Sequence, residues 1–121
     1  MKIEIKHPHP IDKQTFSDNG KHWFVSRLID KAKDLTVQTM PISGLNIYRL
    51  APHINNMKSF VGHIQAVLDA DLSFPIILDE EGYVMDGRHR IAKALLEGRE
   101  TISFVRFEET PVPDFHDKED D

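Results

Sequence analysis

The segment Pro75-Ile-Ile-Leu-Asp-Glu-Glu-Gly-Tyr-Val-Met-Asp-Gly-Arg-His-Arg-Ile-Ala-Lys-Ala-Leu-Leu-Glu-Gly98 constrains the fold of this chain more than any other. The apolar run from Phe74 to Leu78 is bounded by a proline and reads as a buried strand. Asp79-Glu-Glu-Gly82 reads as a hairpin turn in which Gly82 supplies a positive φ. Tyr83 to Met85 reads as the return strand. Gly87 then opens directly into a helix that runs to Glu97 and stops at Gly98, a residue suited to the position just past a helix end. The order strand, turn, strand, glycine, helix sets Asp86, Gly87, Arg88, His89 and Arg90 at a helix mouth.

A helix mouth presents backbone N–H groups and the positive end of the helix dipole, so it suits a phosphate. Gly87 is expected to let a ligand approach the backbone. Arg88 and Arg90 add fixed charge and forked donors matched to phosphate oxygens. The bland alternative is that Asp86 is a helix cap, the arginines are solvated and His89 is a scaffold residue.

The remainder supplies the surrounding elements. Lys2 to Lys6 alternates and suggests a strand, ended by His7-Pro8-His9-Pro10. Asp18-Asn19-Gly20 is a turn cluster. From His22 to Leu35 the spacing of Val25, Leu28, Ile29 and Ala32 predicts a helix. Trp23 and Phe24 are expected to anchor it on the core. Thr36 to Met40 reads as a short strand closed by Pro41, and Asn46 to Leu50 as a second extended piece. Asn55 or Asn56 caps a helix to about Ala70, with Met57, Phe60, Val61, Ile64 and Leu68 as its apolar face and His63 beside that face at the edge of the core. Thr101 to Phe107 alternates and closes the fold. The expected organisation is α/β (α+β): a small mixed sheet with about three helices in a single domain over residues 1–113. The N-terminal helix is expected to cover an open sheet edge.

Composition narrows the function classes. A chain of 121 residues without cysteine has no disulfide, thiolate or cysteine–zinc chemistry. No apolar run reaches membrane-spanning length, and the start carries no signal-like apolar stretch, so a cytoplasmic setting is expected. The net charge is −5, of which residues 114–121, with five acids and one lysine, carry −4 and leave −1 for the rest. That acidic tail is expected to be disordered. His116 lies in it. A body near neutrality without a basic run makes duplex DNA an unexpected partner. His7, His9, His22 and His53 match no metal-ligand spacing, so no metal centre is expected. No nucleophile elbow and no Ser/His/Asp set can be placed from sequence.

From about Val37 to Glu109 the chain resembles the ParB/sulfiredoxin-like superfamily. Val37-Gln-Thr-Met-Pro-Ile-Ser-Gly-Leu45 is similar to its opening strand and proline turn. Met57 to Ala70 is similar to its first helix. Pro75 to Gly98, followed by Thr101-Ile-Ser-Phe-Val105, is similar to its hairpin, signature loop, helix and closing strand. In sulfiredoxins the loop carries a glycine, a catalytic cysteine, then His-Arg and a small residue two positions on. Gly87, His89, Arg90 and Ala92 match those places, but Arg88 replaces the cysteine, so the thiolate reaction is excluded. ParB proteins carry a Gly-x-Arg-Arg type of loop and bind CTP. Gly87 and Arg90 match it, while no helix-turn-helix follows, so a DNA-partitioning clamp is not expected.

The resemblance implies a nucleotide-binding domain. Gly87, Arg88, His89 and Arg90 would hold phosphate, with Lys58 and Ser59 at the first helix start as further contacts. Small-molecule kinases of the family use ATP or ADP with Mg²⁺. In that reading Asp86 and His89 are the catalytic candidates: Asp86 orients Arg88 or binds Mg²⁺, and His89 donates to a phosphate oxygen. Asp79 is a second carboxylate candidate, although a turn role suits it better. Chemistry of this kind works by positioning and charge neutralisation. The alternative is a non-catalytic regulatory or interaction module with a protein partner.

Overall fold

The computed structural model describes residues 14–46 and 54–117. The proposed strand at Lys2 to Lys6 and most of the extended piece at Asn46 to Leu50 lie outside the described residues.

The described chain begins with a hairpin of β1 (Thr15–Asp18) and β2 (Lys21–Phe24). Asn19 and Gly20 both take positive φ, 50° and 78°, which matches the twist that a tight two-residue hairpin needs. Helix α1 (Val25–Ala32) follows without a loop. The helix expected from His22 therefore starts three residues later, and Leu35 lies beyond its end. Local periodicity loses to pairing here: Trp23 sits opposite Phe16 in the hairpin and turns its ring into the core.

A four-stranded sheet has the order β3 (Gln38–Pro41), β6 (Thr101–Arg106), β4 (Ile76–Leu78), β5 (Val84–Asp86). β4 and β6 run parallel, and the other neighbours are antiparallel. The expected mixed α/β architecture is thus present, with three α-helices among the described residues. A short 3₁₀ turn, Ile42–Gly44, follows β3.

Two apolar clusters sandwich this sheet. Ile77, Met85 and Val105 point to one face and meet Trp23, Leu28 and Ala32. Ile76, Leu78 and Ile102 point to the other and meet Ile42, Ile91 and Ala94 of α3 (Arg88–Leu96). All of β4 is buried because both its faces are covered. Helix α1 accordingly covers a sheet face and not an edge, because Leu28 and Ala32 have an apolar surface to meet only there.

Helix α2 (Met57–Asp69) is capped by Asn56, whose side chain accepts the Ser59 N–H at 2.8 Å. Its buried residues are Gly62 and Ala66. The expected apolar face is largely exposed: Met57 by 74%, Phe60 by 47%, Ile64 by 43% and Leu68 by 52%.

The C-terminal segment departs most from expectation. Phe115–His116 forms β7, paired antiparallel with β2 to complete a three-stranded sheet. Asp114 accepts the Phe24 N–H at 2.8 Å and pairs with Arg27 at 3.1 Å. Residues 114–117 are therefore docked, because Asp114 and Asp117 find fixed partners that composition cannot reveal. Residues 118–121 lie outside the described set.

Candidate functional site

The hairpin before α3 forms as its turn chemistry dictates. Asp79 Oδ1 accepts the N–H groups of Glu81 and Tyr83, each at 2.9 Å, and Gly82 takes φ 90°. Asp79 is a turn residue, committed to its own loop. The hairpin delivers Asp86 to the end of β5 and Gly87 to the cap position of α3, with φ 115°.

Gly87 has a packing role. A Cβ there would lie 2.5 Å from Ile76 Cγ2 and 2.8 Å from Ile76 Cβ. The glycine lets α3 start directly on the buried strand β4, so room for a ligand is not what requires it. No side chain caps the helix, and its first turn contains no acid. The first intrahelical bond runs from the Ile91 N–H to the Gly87 carbonyl at 3.0 Å. Arg88 at the first helical position is exposed. This is an electropositive helix start without a carboxylate inside it.

Arg90 and Asp86 behave differently from expectation. Arg90 Nη2 pairs with Asp86 Oδ2 at 2.7 Å, both side chains being largely buried. Arg90 Nη1 donates to the Pro75 carbonyl at 2.5 Å and to the Phe74 carbonyl at 3.3 Å. The guanidinium thus ties β5 to the loop entering β4. Asp86 orients Arg90, the residue one helical turn on.

His89 meets a residue that sequence spacing did not single out. Its Nε2 lies 2.9 Å from Nδ1 of His63 on α2. The ring centroids are 5.2 Å apart, so the two nitrogens face each other almost along the line of centres. That is hydrogen-bond geometry, in which one ring donates and the other accepts. The pair joins α2 to the α3 mouth. No periodicity links positions 26 apart.

Lys58 and Ser59 lie in the first turn of α2, five and four residues before His63, or roughly 6–8 Å along the axis. Lys58 is exposed, and the Ser59 backbone N–H serves the Asn56 cap. The structure thus gathers Gly87, Arg88, His89 and His63 around one helix start, with Lys58 and Ser59 at the start of the neighbouring helix.

A broad depression of about 440 Å³ lies at the other end of α3, lined by Asp71, Ser73, Lys93, Glu97 and Arg99 among others. Lys93 Nζ is spent there on the Leu68 and Ala70 carbonyls, at 2.9 and 2.6 Å, where it closes the C-terminal end of α2. The Ser73 hydroxyl and backbone N–H hold the Asp71 carboxyl below its ordinary pKa. These contacts are structural, so we place the candidate site at the α3 mouth.

The small sheet holds a second polar array. Ser17 Oγ lies 2.6 Å from His22 Nδ1, and His22 Nε2 lies 2.6 Å from Asp117 Oδ1. Hydroxyl, imidazole and carboxylate stand in the order used in acyl transfer, a set that sequence could not place. Here the line joins β1, β2 and the segment after β7, and Phe115 stacks on His22 at 4.6 Å. We read it as a latch on the C-terminal segment. Among the described residues, no group of three or more His, Cys, Asp or Glu side chains could hold a metal ion. Nor is any described helix long and apolar enough to cross a membrane.

Comparison with protein families, curated proteins and solved structures returns no match for this chain.

Proposed function

We propose that the α3 mouth binds the phosphate of a nucleotide, with ATP, ADP and CTP as the candidates and Mg²⁺ as a candidate companion ion. The observation that carries this reading is the glycine-started helix, with no side-chain cap, no acid in its first turn and an exposed Arg88 at its first position. Backbone N–H groups of the first turn and the Arg88 guanidinium hold the anion. His89, steadied by His63, lines the site and donates to a phosphate oxygen. Lys58 and Ser59 form the outer contacts of a longer ligand. The reading is supported by the resemblance of the segment from Val37 to Glu109 to the nucleotide-binding ParB/sulfiredoxin-like superfamily.

One observation favours binding over phosphoryl transfer. Asp86, the carboxylate beside the mouth, is engaged by Arg90 at 2.7 Å. A catalytic role for it requires that pair to open. The second reading is therefore a non-catalytic module that responds to a bound nucleotide.

The test is calorimetric titration with ATP, ADP, CTP and inorganic phosphate, with and without Mg²⁺. At least one nucleotide binds the wild-type protein, and Arg88→Ala weakens that binding by about tenfold or more, as loss of a charge-assisted hydrogen bond requires. Absence of binding by every ligand, or equal affinity in Arg88→Ala, overturns the proposal. Release of ADP or inorganic phosphate in the same samples distinguishes transfer or hydrolysis from binding alone.

A further inference from the structure

The line of Ser17, His22 and Asp117 is explained only in part by its role as a latch. Asp117 and Phe115 tie the C-terminal segment to β2. The Ser17 hydroxyl stands on β1, on the far side of His22, and holds no part of that segment. Its place follows from the hairpin register. Asp18 and Lys21 close the two-residue turn, so Ser17 and His22 form the next pair, the non-hydrogen-bonded kind whose side chains approach most closely. The proton positions follow from the carboxylate. An ionised carboxylate only accepts, so His22 Nε2, 2.6 Å from Asp117 Oδ1, carries the ring proton. In the neutral ring Nδ1 then holds the lone pair, and the Ser17 hydroxyl at 2.6 Å donates to it. Gly20 leaves room for the carboxylate: a Cβ there would lie 3.2 Å from Asp117 Oδ2. A hydroxyl whose proton points at an imidazole oriented by a carboxylate is an activated nucleophile.

We propose that Ser17 accepts acyl groups from small esters or thioesters, with His22 as its base and Asp117 as the residue that positions His22. Ser17 Oγ bonds to the acyl carbon while its proton passes to His22 Nδ1. The bond to the leaving alkoxide or thiolate breaks, and His22 returns the proton to it. Water, deprotonated by His22 in turn, then hydrolyses the acyl-serine. Two observations set the substrate class. Residues two apart share a strand face, so Phe24 lies on the same side of the small sheet as His22 and Ser17. Phe24 and Phe115 are both exposed there, with ring centroids 5.5 Å apart, and form an apolar platform for the acyl group. The oxyanion donor at hand is the Ser17 N–H. In a non-hydrogen-bonded pair it points away from β2, to an edge where β1 has no further neighbour among the described residues. A single donor is weaker than a pair by about 10²–10³ in rate, so the site suits acyl groups on a good leaving group and not amides. This site lies on the small sheet and is independent of nucleotide binding at α3.

The probes are an alkyl fluorophosphonate, which Ser17 attacks at phosphorus with loss of fluoride, and p-nitrophenyl butyrate. Peptide mass spectrometry of the wild type finds the phosphonate on Ser17 in preference to the chain's other serines, such as Ser26 and Ser103. That comparison is internal to one folded protein. His22→Gln keeps a polar side chain without a base and slows labelling by about 100-fold or more. Asp117→Asn slows it by about tenfold, and Asp117→Glu, which keeps the carboxylate, recovers most of the rate. Circular dichroism confirms that each variant is folded. The wild type hydrolyses p-nitrophenyl butyrate, and Ser17→Ala does not. A wild type labelled at no serine, or no faster at Ser17 than at Ser26 and Ser103, overturns the proposal. So does labelling of His22→Gln at the wild-type rate, or equal ester hydrolysis by Ser17→Ala; the array is then a latch alone.

Discussion

Replacing Gly87 by alanine tests whether packing or ligand access demands this glycine. The added methyl would meet Ile76 Cγ2 at 2.5 Å, Ile76 Cβ at 2.8 Å and Ile76 Cα at 3.2 Å. A rotamer change can move Cγ2, but Cβ and Cα are fixed by a fully buried strand. The start of α3 must therefore shift away from β4, and overpacking of this kind costs about 1–3 kcal/mol. The φ of 115° adds strain for a residue with a Cβ, about 1–2 kcal/mol. Together these predict a loss of roughly 2–5 kcal/mol. Gly98→Ala is the control. Gly98 also has positive φ, 72°, but a Cβ there meets nothing within 4 Å. It carries only the conformational part, roughly 1 kcal/mol. Urea unfolding at equilibrium measures both. Ile76→Ala combined with Gly87→Ala should not restore stability, since the Cβ and backbone contacts remain. If Gly87→Ala costs no more than Gly98→Ala, the packing argument is refuted and the glycine belongs to the ligand.

Arg90→Ala should lose about 1.5–3 kcal/mol, because it strands the largely buried Asp86 carboxylate and drops the bond to the Pro75 carbonyl. Arg90→Lys should recover little of this, since an ammonium cannot span the carboxylate and the carbonyl as the guanidinium fork does; thermal unfolding decides both. Truncation after Pro113 should cost roughly 2–4 kcal/mol through lost hydrogen bonds at Asp114 and Asp117 and lost packing of Phe115. A truncated protein with unchanged denaturation midpoint would mean that β7 contributes nothing to stability.

The hairpin and helix from Ile76 to Gly98 were legible because their signals are local. Asp79 and Gly82 make the turn through bonds inside it, and Gly98 ends α3 with the Arg99 N–H reaching back to Ala94 at 2.9 Å. Elements that depend on distant partners were not legible. His22 to Phe24 carries helical spacing but is drawn into a strand by Phe16 on one side and Phe115–His116 on the other. The apolar stripe of α2 was visible, but the side turned to the body is set by how closely Gly62 and Ala66 let α3 approach. The site residues divide in the same way. Gly87, Arg88 and His89 reach the helix mouth as their order requires. Arg90 is taken up by the Phe74 and Pro75 carbonyls and by Asp86, a choice that depends on where the β4 entry loop passes. His63 enters through a contact between helices that no local pattern encodes.

The pairing of β2 with β7 has a consequence for the order of folding during synthesis. β2 is made early, yet its neighbour is completed only at His116, and the indole N–H of Trp23 waits for the carbonyl of Pro111 at 2.8 Å. Until that stretch leaves the ribosome, the first hairpin keeps an open edge and an unsatisfied indole donor beside the nascent core. Trp23 is the chain's single tryptophan, so its emission follows that last step directly. In refolding, a late change in tryptophan fluorescence after helix formation would time the arrival of the C-terminal strand at a hairpin synthesised some ninety residues before it.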